Sequence, residues 1–410
     1  MKKYFLSILM LSFILLSACS SGVEENGNEY VPIELHASSR ATAKDLASFN
    51  LSLLQNTAKI ADENVGDKNV IVSPLSTSVL LGMVANAIET ELANEILNHM
   101  GISDLESLNS LNATLLSSLP GLDKTASLYL PNSVWYRRQF DLSSDFNREM
   151  QKNFLARITK VDFQSTVETK KLIDQWIKST TGEKISSYPF EIYPSSYAVF
   201  SNALYFGAKW KGAFFYPANI SKAAFHGVSG DSEVDMMKGS GSAYAIKIGE
   251  MTYLNIPFGN GAFNFEVFLP DSETDVQQKL SLLDLEQISE LRSFAKRGAV
   301  TVKIPKFHLS QKNDLREVLI QMGFEKLFGD IDISMFTSPV SGAIEISQLA
   351  DFAIDEKGVE IHVISNGVMA PTANQQPEEV TEVIVNRPFM FMVSNSDTET
   401  VLLSGRVADL

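Results

Sequence analysis

"DEKGVEIHVISNGVMAPTANQQPEEV" occupies residues 355–380 of a 410-residue chain, close to its C-terminus. Residues 359–364 read V-E-I-H-V-I, with branched aliphatics at alternate positions, the period of a strand with one face turned inward. The remainder carries Pro371 and Pro377, several Asn and Gln, two acids and no fixed period. About twenty residues without a period inside a compact domain are either functional or a sign of misread architecture. The rest of the chain decides between the two.

Helical patterns come first. Leu46, Phe49, Leu51, Leu53 and Leu54 mark one helix. Ser73-Pro74 supplies an N-cap and a proline at the first helical position. Val79, Leu80, Met83, Val84, Ala87 and Ile88 follow at helical spacing. Residues 145–155 form a further amphipathic pattern. Strands dominate later. Residues 252–257 and 262–269 flank Gly259-Asn260-Gly261, a hairpin signal. Residues 299–309 alternate, and 388–393 and 401–407 are short apolar runs of the buried-strand kind. Helices first, strands later, no βαβ rhythm and no Gly/Ser linker predict one large α+β domain.

The formal net charge is −15. Such a field repels nucleic acid and anionic polysaccharide unless a basic patch overrides it, and no basic cluster occurs. Nucleic acid is not expected as a partner. Residues 1–19 carry a processing signal: Lys2 and Lys3, then an apolar run from Tyr4 to Leu16 too short to span as a mature helix. Leu16-Ser17-Ala18-Cys19 resembles the bacterial lipobox, which implies cleavage before Cys19 and lipidation of its thiol. Cys19 is the one cysteine in the chain, so no disulfide forms within it. Loss of Lys2 and Lys3 leaves 32 basic residues against 49 acidic, a charge of −17. The expectation is a signal peptide over 1–18, a lipidated N-terminus and flexible tether over 19–40, and a domain over 41–410. The protein is expected in a bacterial cell envelope, at the outer membrane or cell surface, held to the membrane by its lipid anchor.

Enzymatic signatures are sparse. His36, His99, His226, His308 and His362 are far apart, without H-E-x-x-H or a cluster with carboxylates. No metal and no cofactor are expected. Ser293-Phe294-Ala295-Lys296 matches S-x-x-K, but no S-D-N or K-T-G accompanies it, and such a tetrapeptide is frequent by chance. It reads as a helix end on the surface. Trp135, Trp176 and Trp210 read as core rather than as a ligand box.

From Thr42 to Leu410 the chain resembles the serpins, a family of serine protease inhibitors. The matching segments occur in order. They are N-V-I-V-S-P-L-S-T-S-V-L-L at 69–81, a helix pattern with Trp176 ending in T-G-E-K-I at 181–185, and V-F-S-N-A-L-Y-F-G-A-K-W at 199–210. I-P-K-F at 304–307, Asp314-Leu315, Met322-Gly323, I-D-E-K-G-V-E at 354–360, N-R-P-F at 386–389 and L-S-G-R-V at 403–407 follow. The resemblance implies the serpin fold: helices packed on a large mixed five-stranded main sheet plus two smaller sheets, with an exposed reactive-centre loop. It implies a monomer that is no enzyme but an inhibitor of serine, and also cysteine, endopeptidases. A protease attacks the loop, an acyl-enzyme forms, and the cut loop inserts into the main sheet before deacylation. Residues 355–380 are then a bait, preceded by a strand held outside the sheet.

The same resemblance implies site residues. Glu356, Lys357, Gly358, Val359, Glu360, Ile361 and Val363 form the hinge, with Val359, Ile361 and Val363 facing the core and Glu360 and His362 outward. Lys306 and Glu356 meet at the top of the main sheet, where Trp210 also lies. Ser73, Ser76, Asn202 and Gln348 match a polar cluster beneath the sheet, Gln348 standing where the family usually has histidine. Counting seventeen residues from Glu356 puts the scissile bond at Thr372–Ala373; the long loop leaves any bond from Met369 to Gln376 open. No Lys or Arg occurs from Ser365 to Val385, so a trypsin-like pocket finds no partner. Pro371-Thr372-Ala373 suits elastase- or subtilisin-type proteases instead. The hinge departs from the family, which uses threonine and alanines where this chain has Val359, Ile361, His362 and Val363. Overpacking by that bulk costs about 1–3 kcal/mol, and a loop that enters slowly makes a substrate. The alternative is a non-inhibitory serpin-fold binding protein or a protease substrate. A more distant one is an envelope hydrolase built around Ser293.

Overall fold

The computed structural model describes residues 28–64, 69–271, 276–344, 346–363 and 377–410. Its helices are α1 (Ala37–Asn64), α2 (Pro74–Ala85), α3 (Thr90–His99), α4 (Leu105–Ser118), α5 (Ser144–Asn153), α6 (Thr166–Thr180), α7 (Val276–Leu282), α8 (Leu285–Phe294) and α9 (Arg316–Gln321). The first strands are β1 (Val70–Val72), β2 (Ser127–Tyr129), β3 (Asn132–Arg137), β4 (Arg157–Val161), β5 (Ala198–Asn202), β6 (Leu204–Lys209), β7 (Phe215–Gly227), β8 (Gly230–Ile248), β9 (Met251–Pro257) and β10 (Phe263–Pro270). Then come β11 (Lys296–Pro305), β12 (Phe307–Asp314), β13 (Ile331–Asp332), β14 (Ser341–Gly342), β15 (Ser347–Asp355), β16 (Gly358–Val363), β17 (Pro377–Glu378), β18 (Glu382–Ile384), β19 (Phe389–Asn395) and β20 (Val401–Val407).

Among the described residues these strands form four sheets. The largest has ten strands, along β1-β20-β19-β10-β9-β8-β11-β18, with β7 and β17 also on β8. A five-stranded sheet runs β12-β15-β16-β6-β2; β4-β3-β5 and β13-β14 are smaller. The α+β class is as expected, but the five-stranded sheet is not the largest. All its pairings are antiparallel, because β16 lies between β15 and β6 and runs against both.

Local chemistry accounts for the central helix. Ser73 caps α2 by accepting from the Ser76 N–H at 3.3 Å, and Pro74 takes the first helical position. Every residue of α2 is buried, the place for a helix that is apolar all round. Between the two large sheets runs an aromatic seam. Phe352 of β15 meets Phe391 of β19 at 4.6 Å between ring centres, and Phe307 sits 5.5 Å from Phe352. A second cluster forms where α6 covers the three-stranded sheet, with Trp135 and Trp176 edge-on at 6.0 Å. All three tryptophans are buried, consistent with core roles. Buried Glu266 is held by Arg292 of α8 at 2.8 and 2.9 Å, with Tyr253 and Ser394 also donating to it. Burial alone would raise that carboxyl's pKa; Arg292 overrides it and lowers it.

Several expectations need correction. Residues 299–309 are not one strand. β11 ends at Pro305, the Lys306 N–H still donates to the Asp235 carbonyl of β8 at 2.8 Å, and β12 begins at Phe307 in the other sheet. The segment expected as a free tether is docked where it is described. Helix α1 begins at Ala37, and Tyr30, Ile33 and Leu35 pack against the core. The Asn28 side chain donates to Asp123 Oδ1 at 2.9 Å and accepts from the Lys124 N–H at 2.7 Å. Ser293, at the end of α8, donates its hydroxyl to the Glu290 carbonyl at 2.9 Å, the ordinary use of a serine in a last helical turn. The largest correction is β16. Expected outside the sheet, it sits within it.

Candidate functional site

The site begins at a two-residue turn. Asp355, at the end of β15, pairs with Gly358, at the start of β16. Asp355 Oδ1 accepts from the N–H groups of Lys357 (2.7 Å) and Gly358 (3.2 Å), the turn chemistry for which Asp is favoured. Trp210 locks this turn to the end of β6. Its indole N–H donates to the Asp355 carbonyl at 2.9 Å, its backbone N–H donates to the Lys357 carbonyl at 3.3 Å, and its ring stacks on Phe258. Lys306 and Glu356 form an ion pair beside it. The hydrogen bond from Lys306 holds the Glu356 carboxyl below its ordinary pKa.

Gly358 has φ +153°, where side chains are disfavoured. A Cβ there would stand 1.8 Å from the Ala208 carbonyl oxygen. Beyond it β16 is laddered on both sides, Val359 opposite Ala208 and Ile354, Ile361 opposite Phe206 and Phe352. Val359 and Ile361 face inward and are buried, at 6% and 0% exposure, in the orientation that alternation predicts. Glu360 faces outward and accepts from the Tyr205 hydroxyl at 2.8 Å. His362 and Val363 follow in the same backbone register, opposite Tyr205 and Leu204.

Beyond Val363 two strand edges carry no second pairing among the described residues. Among the described residues β15 pairs with β16 only from Asp351 onward, and Ser347–Ala350 pair with β12 alone. On the other side β5 pairs, among the described residues, with β3 alone. Among the described residues nothing bridges these two edges, which continue the slot that β16 fills.

The polar cluster beneath the sheet divides into two parts. Ser73 accepts on its side chain from Ser76, donates its backbone N–H to Gln348 Oε1 at 3.1 Å, and donates its hydroxyl to the Leu402 carbonyl. Asn202 joins none of these. It donates to Asn132 Oδ1 at 2.7 Å, and Asn132 in turn donates to the Phe154 carbonyl at 2.8 Å. Three buried atoms of the cluster, Ser76 Oγ, Asn202 Oδ1 and Gln348 Nε2, have no hydrogen-bond partner among the described residues. Each such group costs about 1–3 kcal/mol until one is found. Asn132 and Tyr205 were missed from the sequence. Each follows an ordinary apolar stretch, and nothing local marks it. Thr372, Ala373 and Cys19 lie outside the described residues.

Three comparisons bear on this arrangement. The family model for Serpin (serine protease inhibitor) matches residues 44–410. Human neuroserpin is 25% identical over 400 residues, covering 88% of this chain and 95% of its own length. Two solved structures, a cleaved Serpin 42Da and native tengpin, a thermophilic serpin, each superpose with a TM-score of 0.76. The first is 22% identical and covers 91% of this chain and 100% of its own; the second is 24% identical and covers 93% and 97%. A cleaved and a native form fit equally well, so the likeness fixes the fold and leaves the state of the hinge to local geometry.

Proposed function

The chain belongs to the serpin family, and on that premise we propose that it inhibits serine endopeptidases as a suicide substrate. The protease serine oxygen bonds to the carbonyl carbon of the scissile residue, Thr372 by family count. The C–N bond to Ala373 breaks, and the departing amine takes the proton that the serine gave up. The freed strand then enters the sheet before water can cleave the ester. The observation that carries this reading is the hinge strand β16, laddered between β15 and β6 with Val359 and Ile361 turned inward. Continuing its register sets residues 364–369 opposite 203–198. The bulk that favoured a non-inhibitory reading is accommodated at Val359 and Ile361, both buried.

The targets are proteases that accept small or apolar residues, since no Lys or Arg lies between Ser365 and Val385. Incubation with an elastase-type and a trypsin-type protease tests this. An SDS-stable complex with the first and not the second is expected. A cleaved band without any complex would assign the chain to the substrate and binding-protein alternative. The protein acts as a monomer held to a bacterial envelope through lipid on Cys19. Cys19→Ala is expected to move it from the membrane to the soluble fraction; an unmodified Cys19 thiol on the mature protein would reject the anchor.

A further inference from the structure

Glu360 meets a prepared receptor on the outer face of the five-stranded sheet. Its Oε1 accepts from the Tyr205 hydroxyl at 2.8 Å and lies 3.4 Å from Lys184 Nζ. The same ammonium stands 4.9 Å over the Tyr205 ring, and Tyr129 flanks that ring at 5.9 Å. Both donors sit outside the hinge, Tyr205 on β6 and Lys184 just past α6. Tyr205 is 3% exposed, and the phenol leans across Gly207, where a Cβ would come within 2.7 Å of its oxygen. Lys184 is delivered by the end of α6. There Gly182 and Glu183 take left-handed conformations, φ +58° and +65°, and a Cβ on Gly182 would meet the Tyr129 hydroxyl at 3.0 Å. Thr181 fastens this turn by donating its hydroxyl to the Ile177 carbonyl at 2.8 Å and accepting from the Ile185 N–H at 3.1 Å.

Glu360 reaches this pair only while β16 occupies its place between β15 and β6. With the hinge withdrawn, the Tyr205 phenol loses a charged acceptor, and hydrogen bonds to charged groups are the strong ones. We propose that Tyr205 and Lys184 are positioning residues that clasp Glu360, hold the hinge strand in the sheet, and thereby commit a cut loop to insertion. The commitment half rests on the inhibitory reading; the clasp itself does not.

Hydrogen exchange at the backbone amides of residues 360–363, measured on the intact full-length protein, separates the two. Tyr205→Phe is expected to speed that exchange about tenfold, and Lys184→Met about two- to fivefold, since its ion pair with Glu360 is half-exposed. In a Glu360→Gln background, Lys184→Met is expected to add nothing, since the amide accepts from Tyr205 but offers no charge to Lys184. Tyr205→Phe is expected to raise the moles of inhibitor consumed per mole of protease without altering the rate of initial attack on the loop. Lys184 is part-exposed, so its variant tests the clasp even where Tyr205→Phe lowers overall stability. Exchange identical to the parent in both single variants overturns the clasp, whatever the proteases do. Faster exchange with unchanged stoichiometry overturns the commitment step alone. Responsive exchange in a protein that traps no protease upholds the clasp and rejects the inhibitory reading.

Discussion

Cutting the loop within residues 369–376 is expected to raise the melting temperature by about 5–10 °C. The gain does not come from Val359 and Ile361, because both are already buried in the uncut chain. Crediting the whole hinge to insertion therefore counts two side chains twice. What remains is insertion beyond Val363. Ladder bonds along β5 and Ser347–Ala350 contribute about 1 kcal/mol each, and ordering the entering residues costs about 1–2 kcal/mol each, so these roughly cancel. The surplus lies on the inner face. In the observed register residue 365 arrives between Asn202 and Gln348, whose Oδ1 and Nε2 are buried without partners among the described residues. A serine hydroxyl there can serve both, at about 1–3 kcal/mol per group. Met369, two alternations on, adds about 1.5–3 kcal/mol by burial. With an unfolding entropy of about 2.1 cal/mol/K per residue, each kcal/mol is worth about 1 °C in a domain of this size. Melting before and after limited elastase treatment measures it. An unchanged melting temperature would mean that the strand stops at Val363, and the non-inhibitory reading would stand.

Gly358→Val is expected to convert the protein from inhibitor to substrate, with at least about a tenfold loss of trapped protease per loop cleaved. No L side chain adopts φ +153° comfortably, and an unfavourable backbone region costs about 1–3 kcal/mol. The larger obstacle is the Ala208 carbonyl, 1.8 Å from the new Cβ and itself part of the β6 ladder. β16 cannot keep its register without displacing β6. Cleavage should proceed at its former rate, since the scissile bond is far along the chain, but the rise in melting temperature should disappear. A Gly358→Val protein that still forms the SDS-stable complex in full yield would show that seating of β16 is not required.

Much of the frame is legible in the residues because its signals are local. Ser73-Pro74 starts a helix by capping geometry, and Gly259-Asn260-Gly261 turns β9 into β10. Alternation in V-E-I-H-V sorts Val359 and Ile361 inward. That same alternation cannot say whether the strand has found its neighbours, since a face is set by the residue itself and an edge by whatever lies beside it. Alternation therefore gives the orientation of β16 and not its position. The clasp was hidden for a related reason: Tyr205 is 155 residues from Glu360, and neither type carries a signature of the other. The polar cluster shows both limits. Ser73 and Gln348 meet, whereas Asn202 turns to Asn132, a choice made by which strands lie side by side.

The docking of Asn28 also has a mechanical side. Its partner Asp123 accepts in addition from the Asn260 N–H at 2.9 Å, and the adjoining Gly259 N–H donates to the Lys209 carbonyl at 2.9 Å. Lys209 is the residue of β6 that faces Gly358. Tension applied ahead of Asn28 therefore enters the domain through side-chain hydrogen bonds in series with the hinge end of β6, before any of it is borne by α1. A pull on the N-terminus and the seating of the hinge strand bear on the same few bonds.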